Sequence, residues 1–408
     1  MVHQTMAIRI TSASRASSNN NAMQKLLWMT TIRTRTRAMA ALLCAVLMAI
    51  VGSLSGCSST PTVTTGMPDA SGGPLPPAIV RAQSRWVPVH WSELPAFGQD
   101  PLHEAWPAWL RSCERPAPAW RALCPQLQQL SDASPAARQS WLRERLQPYR
   151  VESHQAQTEG LLTAYYEPLF EATRRPQGAF TVPLYAPPAS LRKPWFTRQD
   201  IDTLAAARAA LRGKELLYLN DPVDAMVLHI QGSGLLRVTE SDGSVRTVRL
   251  AFAGTNEQPY KSIGRWLLDQ GLTRDASWPG IKAWIARNPT RVQELLWQNP
   301  RYVFFREESL PAGELPGQTP GPKGAQGVPL TAGRSIAVDP GSIPYGTPVW
   351  LASSGPQTTL RRLVLAQDTG TAITGAVRAD YYAGSGAQAG ELAGRLKQSL
   401  QMWVLWPR

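Results

Sequence analysis

Hydrophobic positions along this 408-residue chain fall into short, often interrupted runs. The first run is the longest: residues 38–54, AMAALLCAVLMAIVGSL, carry no charged residue. Residues 58–84 follow with Pro, Ser, Thr and Gly and no apolar period, the composition of a tether that cannot bury a core. Packed structure is predicted to begin near Trp86. Ser134-Pro135 opens a helical pattern through about Gln147, with the serine as N-cap and the proline where its missing N–H costs nothing. The aromatic and β-branched stretches GLLTAYYEPLFEATRR, TVPLYAPP and DAMVLHIQGSG are predicted to be extended. GLLRVTESDGSVRTVRLAFAG reads as a hairpin turning at Asp242-Gly243. Short helices are expected at about 262–270, ended by Gly271, at about 280–287 and at about 291–298, after which RYVFFREE returns to strand. A Pro/Gly-rich break, 310–327, precedes the β-like pieces RSIAVD, TPVWLA and RRLVLAQD, a helix at about 388–398 and a terminal strand MWVLWP.

Short strands tied by Gly/Pro turns, with few helices, predict β-barrels rather than a doubly wound sheet. The 35 prolines and 31 glycines agree with that loop-rich plan, and 43% hydrophobic residues suffice for two domains. Fifteen tryptophans against seven phenylalanines is an unusual balance. Indoles stack on sugar rings, but any single one is expected in the core.

Lys25, Arg33, Arg35 and Arg37 precede the apolar run, which ends in Leu54-Ser55-Gly56-Cys57. A basic region, an apolar region and small residues before a cysteine resemble a bacterial lipoprotein signal. That resemblance implies lipidation of Cys57 as the first mature residue, and Ser58 after it implies the periplasmic face of the outer membrane. The first 57 residues hold six of the 42 Lys and Arg and none of the 29 Asp and Glu, leaving 36 against 29, or +7, on the rest. No dense basic run stands among them, which argues against nucleic acid and leaves an anionic polymer or membrane surface open. Of four cysteines, Cys44 lies in the signal. Cys113 and Cys124 are expected to close a short disulfide loop in an exported protein, and the five scattered histidines offer no metal spacing. Neither metal nor cofactor is expected.

Chemistry is narrowed by elimination. Gly384-Ser-Gly386-Ala-Gln-Ala389 fits a loose dinucleotide pattern, but the 19 residues beyond it cannot complete a βαβ unit, so it reads as a turn and helix start. There is no G-x-S-x-G elbow and no Walker loop. Carboxylates remain: Asp339 in RSIAVDPGSIPYG, Asp368 in LVLAQDTG and Asp380 in RADYYAGSG. Asp339, before Pro-Gly, has the setting of a turn former, and Asp368 could equally brace the turn at Thr369-Gly370. Asp380 stands beside Tyr381 and Tyr382, an acid next to aromatic walls, which is what carbohydrate cleavage needs.

LLTAYYEPLF, VDAMVLHIQGSGLLR, YKSIGRWLLDQG, NPRYVFFRE, VPLTAGRSIAVDPGSIPYGTPV, AQDTGTAITG and RADYYAGSG, in that order from about residue 160 to the end, resemble the membrane-bound lytic murein transglycosylases of family A. The final segment, about 328–408, resembles that family's three-aspartate domain, with Asp339, Asp368 and Asp380 on its three aspartates. The resemblance implies a mainly β fold: a double-psi β-barrel catalytic domain (85–166 and 310–408), an inserted second β-domain (167–309) and a groove between them. It implies Asp380 as the catalytic carboxyl with Asp368 beside it, Thr163, Tyr165, Tyr166 and Tyr381 on one groove wall, and Gln231 and Ser233 on the other. Ala164, where relatives often have glycine, and the insertion at 310–327 depart from the pattern without touching the aspartates.

The activity so implied is cleavage of the β-1,4 bond between N-acetylmuramic acid and N-acetylglucosamine in peptidoglycan, with formation of a 1,6-anhydro ring, by a lipid-anchored monomer. Two other readings stay open: a hydrolase using Asp380 and Asp368 as acid and base, and a non-catalytic wall-binding module.

Overall fold

The structure, a computed structural model, describes residues 73–408 apart from 190, 193 and 311–319. The signal-like run, Cys57 and the tether up to residue 72 lie outside the described residues. The fold is mainly β. The chain enters through a short hairpin, β1 (Ile79–Val80) and β2 (Arg85–Pro88), and adds β3 (Leu146–Glu152) and β4 (Gly160–Glu167) to the same sheet. It then builds a second sheet from β5 (Leu169–Thr173), β6 (Val182–Tyr185), β7 (Glu215–Leu219), β8 (Ser233–Thr239), β9 (Val245–Thr255) and β10 (Val303–Ser309). It returns to the first sheet with β11 (Ser335–Val338), β12 (Thr347–Ser354), β13 (Thr359–Asp368), β14 (Arg378–Ser385) and β15 (Lys397–Pro407).

The first sheet runs β1-β2-β3-β15-β12-β13-β11-β14-β4, and β4 also pairs with β15. The strands from β15 round to β4 therefore form a closed ring, which leaves no strand edge among them unpaired. Two of its pairings are parallel, β11 with β13 and β14 with β4; the others are antiparallel.

Strand alternation decides what fills this barrel. On β12, Val349 and Leu351 point inward to join Ile336, Val364 and Val404, while Trp350 and Ala352 point outward to a second cluster. That outer cluster holds Trp91, Trp106, Trp109, Trp120 and Trp141, supplied by residues 89–146. Trp106 and Trp141 meet Trp109 edge-on, with ring centroids 5.5 and 5.9 Å apart. Edge-to-face contacts place the positive rim of one ring on the negative face of the next. These tryptophans are a core covering the barrel, not sugar platforms. Helices Trp106–Ser112 and Cys124–Gln129, too short to show a period, carry this layer, and a disulfide joins Cys113 to Cys124 with Cα atoms 5.6 Å apart. Helix Pro135–Arg145 starts as its sequence predicts, Ser134 accepting a hydrogen bond from the amide of Ala137.

The second sheet, ordered β10-β9-β8-β5-β7-β6, contains the hairpin at Asp242-Gly243, where Gly243 takes the left-handed conformation with φ of 84°. Helices Ile263–Asp269, Trp278–Arg287 and Val292–Trp297 match the sequence reading to within two residues. The stretch DAMVLHIQGSG does not match. It is a helix, Pro222–Gln231, capped by Asp221 at its start and by Gly232 (φ 81°) at its end, and only Ser233 begins a strand. Ala225 and Leu228 pack on the sheet while Met226 packs on the three helices, so burial on two sides erased the amphipathic period. Gly234 explains the motif's second glycine: a Cβ there would stand 2.4 Å from Leu228 Cδ1, wedging helix from strand. The last helix runs Gly386–Arg395, and the terminal strand starts at Lys397 rather than Met402. Among the described residues no helix is long and apolar enough to cross a membrane.

Candidate active site

β14 lies between β11 and β4, with Asp380 opposite Ala337 on one side and Thr163 on the other. The parallel register brings two residues 217 positions apart into contact: Thr163 Oγ1 donates to Asp380 Oδ1 at 2.5 Å. Arg378, two residues earlier and so on the same face of β14, donates from Nη2 to Thr163 Oγ1 at 2.8 Å. Burial pushes the Asp380 carboxyl above the ordinary aspartate value; the Thr163 hydroxyl and the Arg378 charge act against it.

Asp368 ends β13 and has both oxygens occupied. Tyr165 OH donates to Oδ2 at 2.9 Å, and the amide of Ala325 donates to Oδ1 at 2.9 Å. Burial pushes this carboxyl up too, and the charge of Asp380 adds to the push, while the amides of Ala325 and Thr369 and the Tyr165 hydroxyl oppose it. Asp368 is thus both a brace for the 321–327 segment and a neighbour of Asp380. Asp339 is a turn former: it accepts from the amides of Gly341 and Gly375, each at 2.8 Å.

Two cavities meet here. The smaller, about 200 Å³, is lined by Thr163, Tyr166, Trp278 and Asp380. The larger, about 560 Å³, is lined by His229, Ser233, Arg301 and the 368–371 loop. Tyr165, Ile230 and Gln231 line both. Gln231 is held there by accepting a hydrogen bond from the amide of Tyr166 at 3.0 Å, so the helix end at 231 is tied directly to β4. Where β4 leaves the barrel, Glu167 pairs with Arg249 of β9 at 2.6 Å, both side chains nine-tenths or more buried. Arg249 also donates to the carbonyl of Pro320 at 2.7 Å. Among the described residues no group of three His, Cys, Asp or Glu could hold a metal ion.

Of the residues singled out in the sequence, Thr163, Tyr165, Tyr166, Gln231, Ser233, Asp368 and Asp380 gather around these two cavities. Tyr381 does not. It is 4% exposed, packs inside the barrel, and its hydroxyl donates to the carbonyl of Gly333 at 3.0 Å while accepting from Arg362. Alternation along β14 sends Tyr381 inward and Tyr382 outward, where its ring meets Tyr165 with centroids 5.3 Å apart. Sequence reasoning also passed over Arg378 and Trp278. The period-two spacing of Arg378 from Asp380 was a usable signal; Trp278 comes from the second unit of sheet and helices, and nothing local marks it.

The chain matches two family models: the MltA specific insert domain over residues 161–306 and the 3D domain over residues 334–406. It is 33% identical over 257 residues, 60% of this chain, to the membrane-bound lytic murein transglycosylase A of Vibrio cholerae. It is 36% identical over 256 residues, again 60% of this chain, to the protein of that description in Escherichia coli K12. These alignments span 65% and 64% of the two relatives' own lengths. Among solved structures, the lytic transglycosylase LtgG of Burkholderia pseudomallei is 42% identical, covering 83% of this chain and 99% of that one, with a TM-score of 0.55. MltA of E. coli with bound chitohexaose is 25% identical, covering 86% and 99%, with a TM-score of 0.65.

Proposed function

Since this chain belongs to the family of membrane-bound lytic murein transglycosylases A, we propose that it cleaves peptidoglycan glycan strands by transglycosylation. The bond broken is the β-1,4 link between N-acetylmuramic acid and N-acetylglucosamine, and the product is a 1,6-anhydromuramyl end. The barrel strands of 85–166 and 310–408 carry the chemistry, and the inserted unit, 167–309, supplies the facing wall.

The single observation that carries this reading is the Thr163–Asp380 pair on the smaller cavity, a carboxyl whose proton affinity burial has raised. Protonated, Asp380 gives its proton to the leaving glycosidic oxygen as positive charge develops at C1. As carboxylate, it then takes the proton from the muramic C6 hydroxyl, whose oxygen closes onto C1. The nucleophile belongs to the sugar, so one enzymic carboxyl serves both steps. Water must be kept from C1, and the rings of Tyr166 and Trp278 around the acid support its exclusion.

A hydrolase with Asp368 as base has less support, because Tyr165 and Ala325 already occupy both oxygens of that carboxylate. The bound chitohexaose in the E. coli relative supports a glycan as ligand of the cavities here. The signal-like residues 25–57, and relatives described as membrane-bound, support a lipid anchor at Cys57 on the outer membrane's periplasmic face. Mass spectrometry of digests of purified sacculi tests the activity: mainly anhydro ends uphold it, and mainly reducing ends transfer the chain to the hydrolases.

A further inference from the structure

The order of hydrogen bonds at the acid says which of its oxygens handles the proton. A guanidinium donates and never accepts, and it stays charged at any working pH. Arg378 Nη2 therefore takes one lone pair of Thr163 Oγ1 at 2.8 Å. Arg378 is itself pinned, with Nη1 donating to the carbonyls of Leu161, at 3.3 Å, and Ala379. The hydroxyl of Thr163 has one hydrogen, and among the described residues its only acceptor is Asp380 Oδ1, 2.5 Å away. Were Oδ1 to carry a proton and donate it to Thr163, the threonine hydrogen would have nowhere to go, and a withdrawn donor left unspent is costly. Oδ1 is thus an acceptor in both charge states of the carboxyl. Oδ2 has no hydrogen-bond partner among the described residues.

We infer that Arg378 is a positioning residue which, acting through the Thr163 hydroxyl, reserves Asp380 Oδ2 as the oxygen that gives up and regains the catalytic proton. The inference rests on Asp380 being acid and then base. In the first step the Oδ2–H bond breaks as the proton passes to the leaving oxygen and the C1–O bond opens. In the second the C6 oxygen bonds to C1 and its proton returns to Oδ2, so protons balance with no co-reactant. Because Oδ1 keeps one partner throughout, nothing reorganises between the steps, which is what preorganised catalysis requires. The charge of Arg378 meanwhile favours the carboxylate form. The other groups that titrate around Asp380 are Asp368 on β13, Tyr165 and Tyr166 on β4 and Tyr382 on β14. Lys397 on β15 pairs in register with Thr163 but is exposed. The helix 386–395 and the inserted unit present Ala393, Gly394, Gln231 and Trp278, none charged.

The experiment is a double-mutant cycle on the full chain, with release of anhydromuropeptides from purified sacculi followed across pH. Arg378→Met and Thr163→Val should each lower kcat about 10-fold or more with KM within a factor of about two. The double variant should lose no more than the worse single one, because the two residues act in series. Arg378→Met should also move the basic limb of the kcat profile to higher pH, and Arg378→Lys should restore that limb. A double variant whose loss is the product of the single losses, or an Arg378→Met enzyme with unchanged kcat and profile, overturns the inference. If Arg378→Met does not fold, the cycle is run with the charge-free Arg378→Gln and with Thr163→Val under the same two criteria. Asp380→Asn serves as the control: activity in that variant removes the acid itself, a different failure from a dead Asp380→Asn beside an additive cycle.

Discussion

Tyr165 donates its hydroxyl to Asp368 Oδ2 at 2.9 Å across 203 residues of chain, and its ring lines both cavities of the site. One side chain thus braces one aspartate and walls the chamber of the other. The tyrosine hydroxyl is held protonated, well above its usual range, by burial and by the charges of Asp368 and Asp380. It is a donor in this site, never a base.

Asp380→Asn should lower turnover on sacculi by about 10²–10⁴-fold or more while glycan binding persists. A variant keeping a tenth of wild-type turnover would take Asp380 out of the acid's role.

The same variant carries a stability signature whose sign follows from burial. The folded-state pKa of Asp380 lies above its unfolded value, so the native state holds the proton more tightly. That preference costs nothing below the unfolded pKa and is lost as stability while pH rises from there through the raised folded value. Asp380→Asn should therefore melt higher than wild type near neutrality, with the difference closing as pH falls below the ordinary aspartate value. Parallel melting curves at all pH values would contradict a raised pKa.

Asp368→Asn should lower the melting temperature, because an amide cannot accept from both Tyr165 and Ala325 with the two atoms that a carboxylate offers. Its pH–rate profile should keep its shape, since Thr163 and Arg378, not Asp368, touch or oppose Asp380. A profile displaced to lower pH would instead make Asp368 the group that raises the acid.

Glu167→Gln or Arg249→Met should each destabilise by about 3–5 kcal/mol, because either leaves a buried partner unpaired at the joint between β4 and β9. Removing both should cost less than either alone, as denaturant titration of the three variants will read. Equal losses for single and double variants would mean that packing, not the charge pair, holds the joint.

Gln231→Ala should weaken glycan binding and raise the fraction of reducing ends, because it frees the Tyr166 amide and opens the wall shared by the two cavities. The readout is the mass difference of one water between product ends. Cys57→Ser should abolish lipid attachment, measured on the intact protein's mass.

Local pattern was enough wherever one short stretch of chain sets its own geometry. Ser134-Pro135 starts a helix because a side-chain oxygen and a missing N–H are local facts, and Asp242-Gly243 turns a hairpin because glycine accepts a positive φ. Family resemblance singled out Thr163, Asp368 and Asp380 in the sequence, and the fold brings the three to the two cavities. What the sequence could not decide was where each side chain faces once strands distant in the chain are paired. Residues 222–231 are helical because two separate cores bury them. Tyr381 fills the barrel and Tyr382 the outside because β14 alternates between β11 and β4. The proton affinity of Asp380 belongs to neither strand alone: burial raises it while a hydroxyl from β4 and a guanidinium from β14 hold it down, and the three meet only when the ring closes. Charge and solvation at that carboxyl are sums over neighbours, and tertiary structure alone chooses the neighbours.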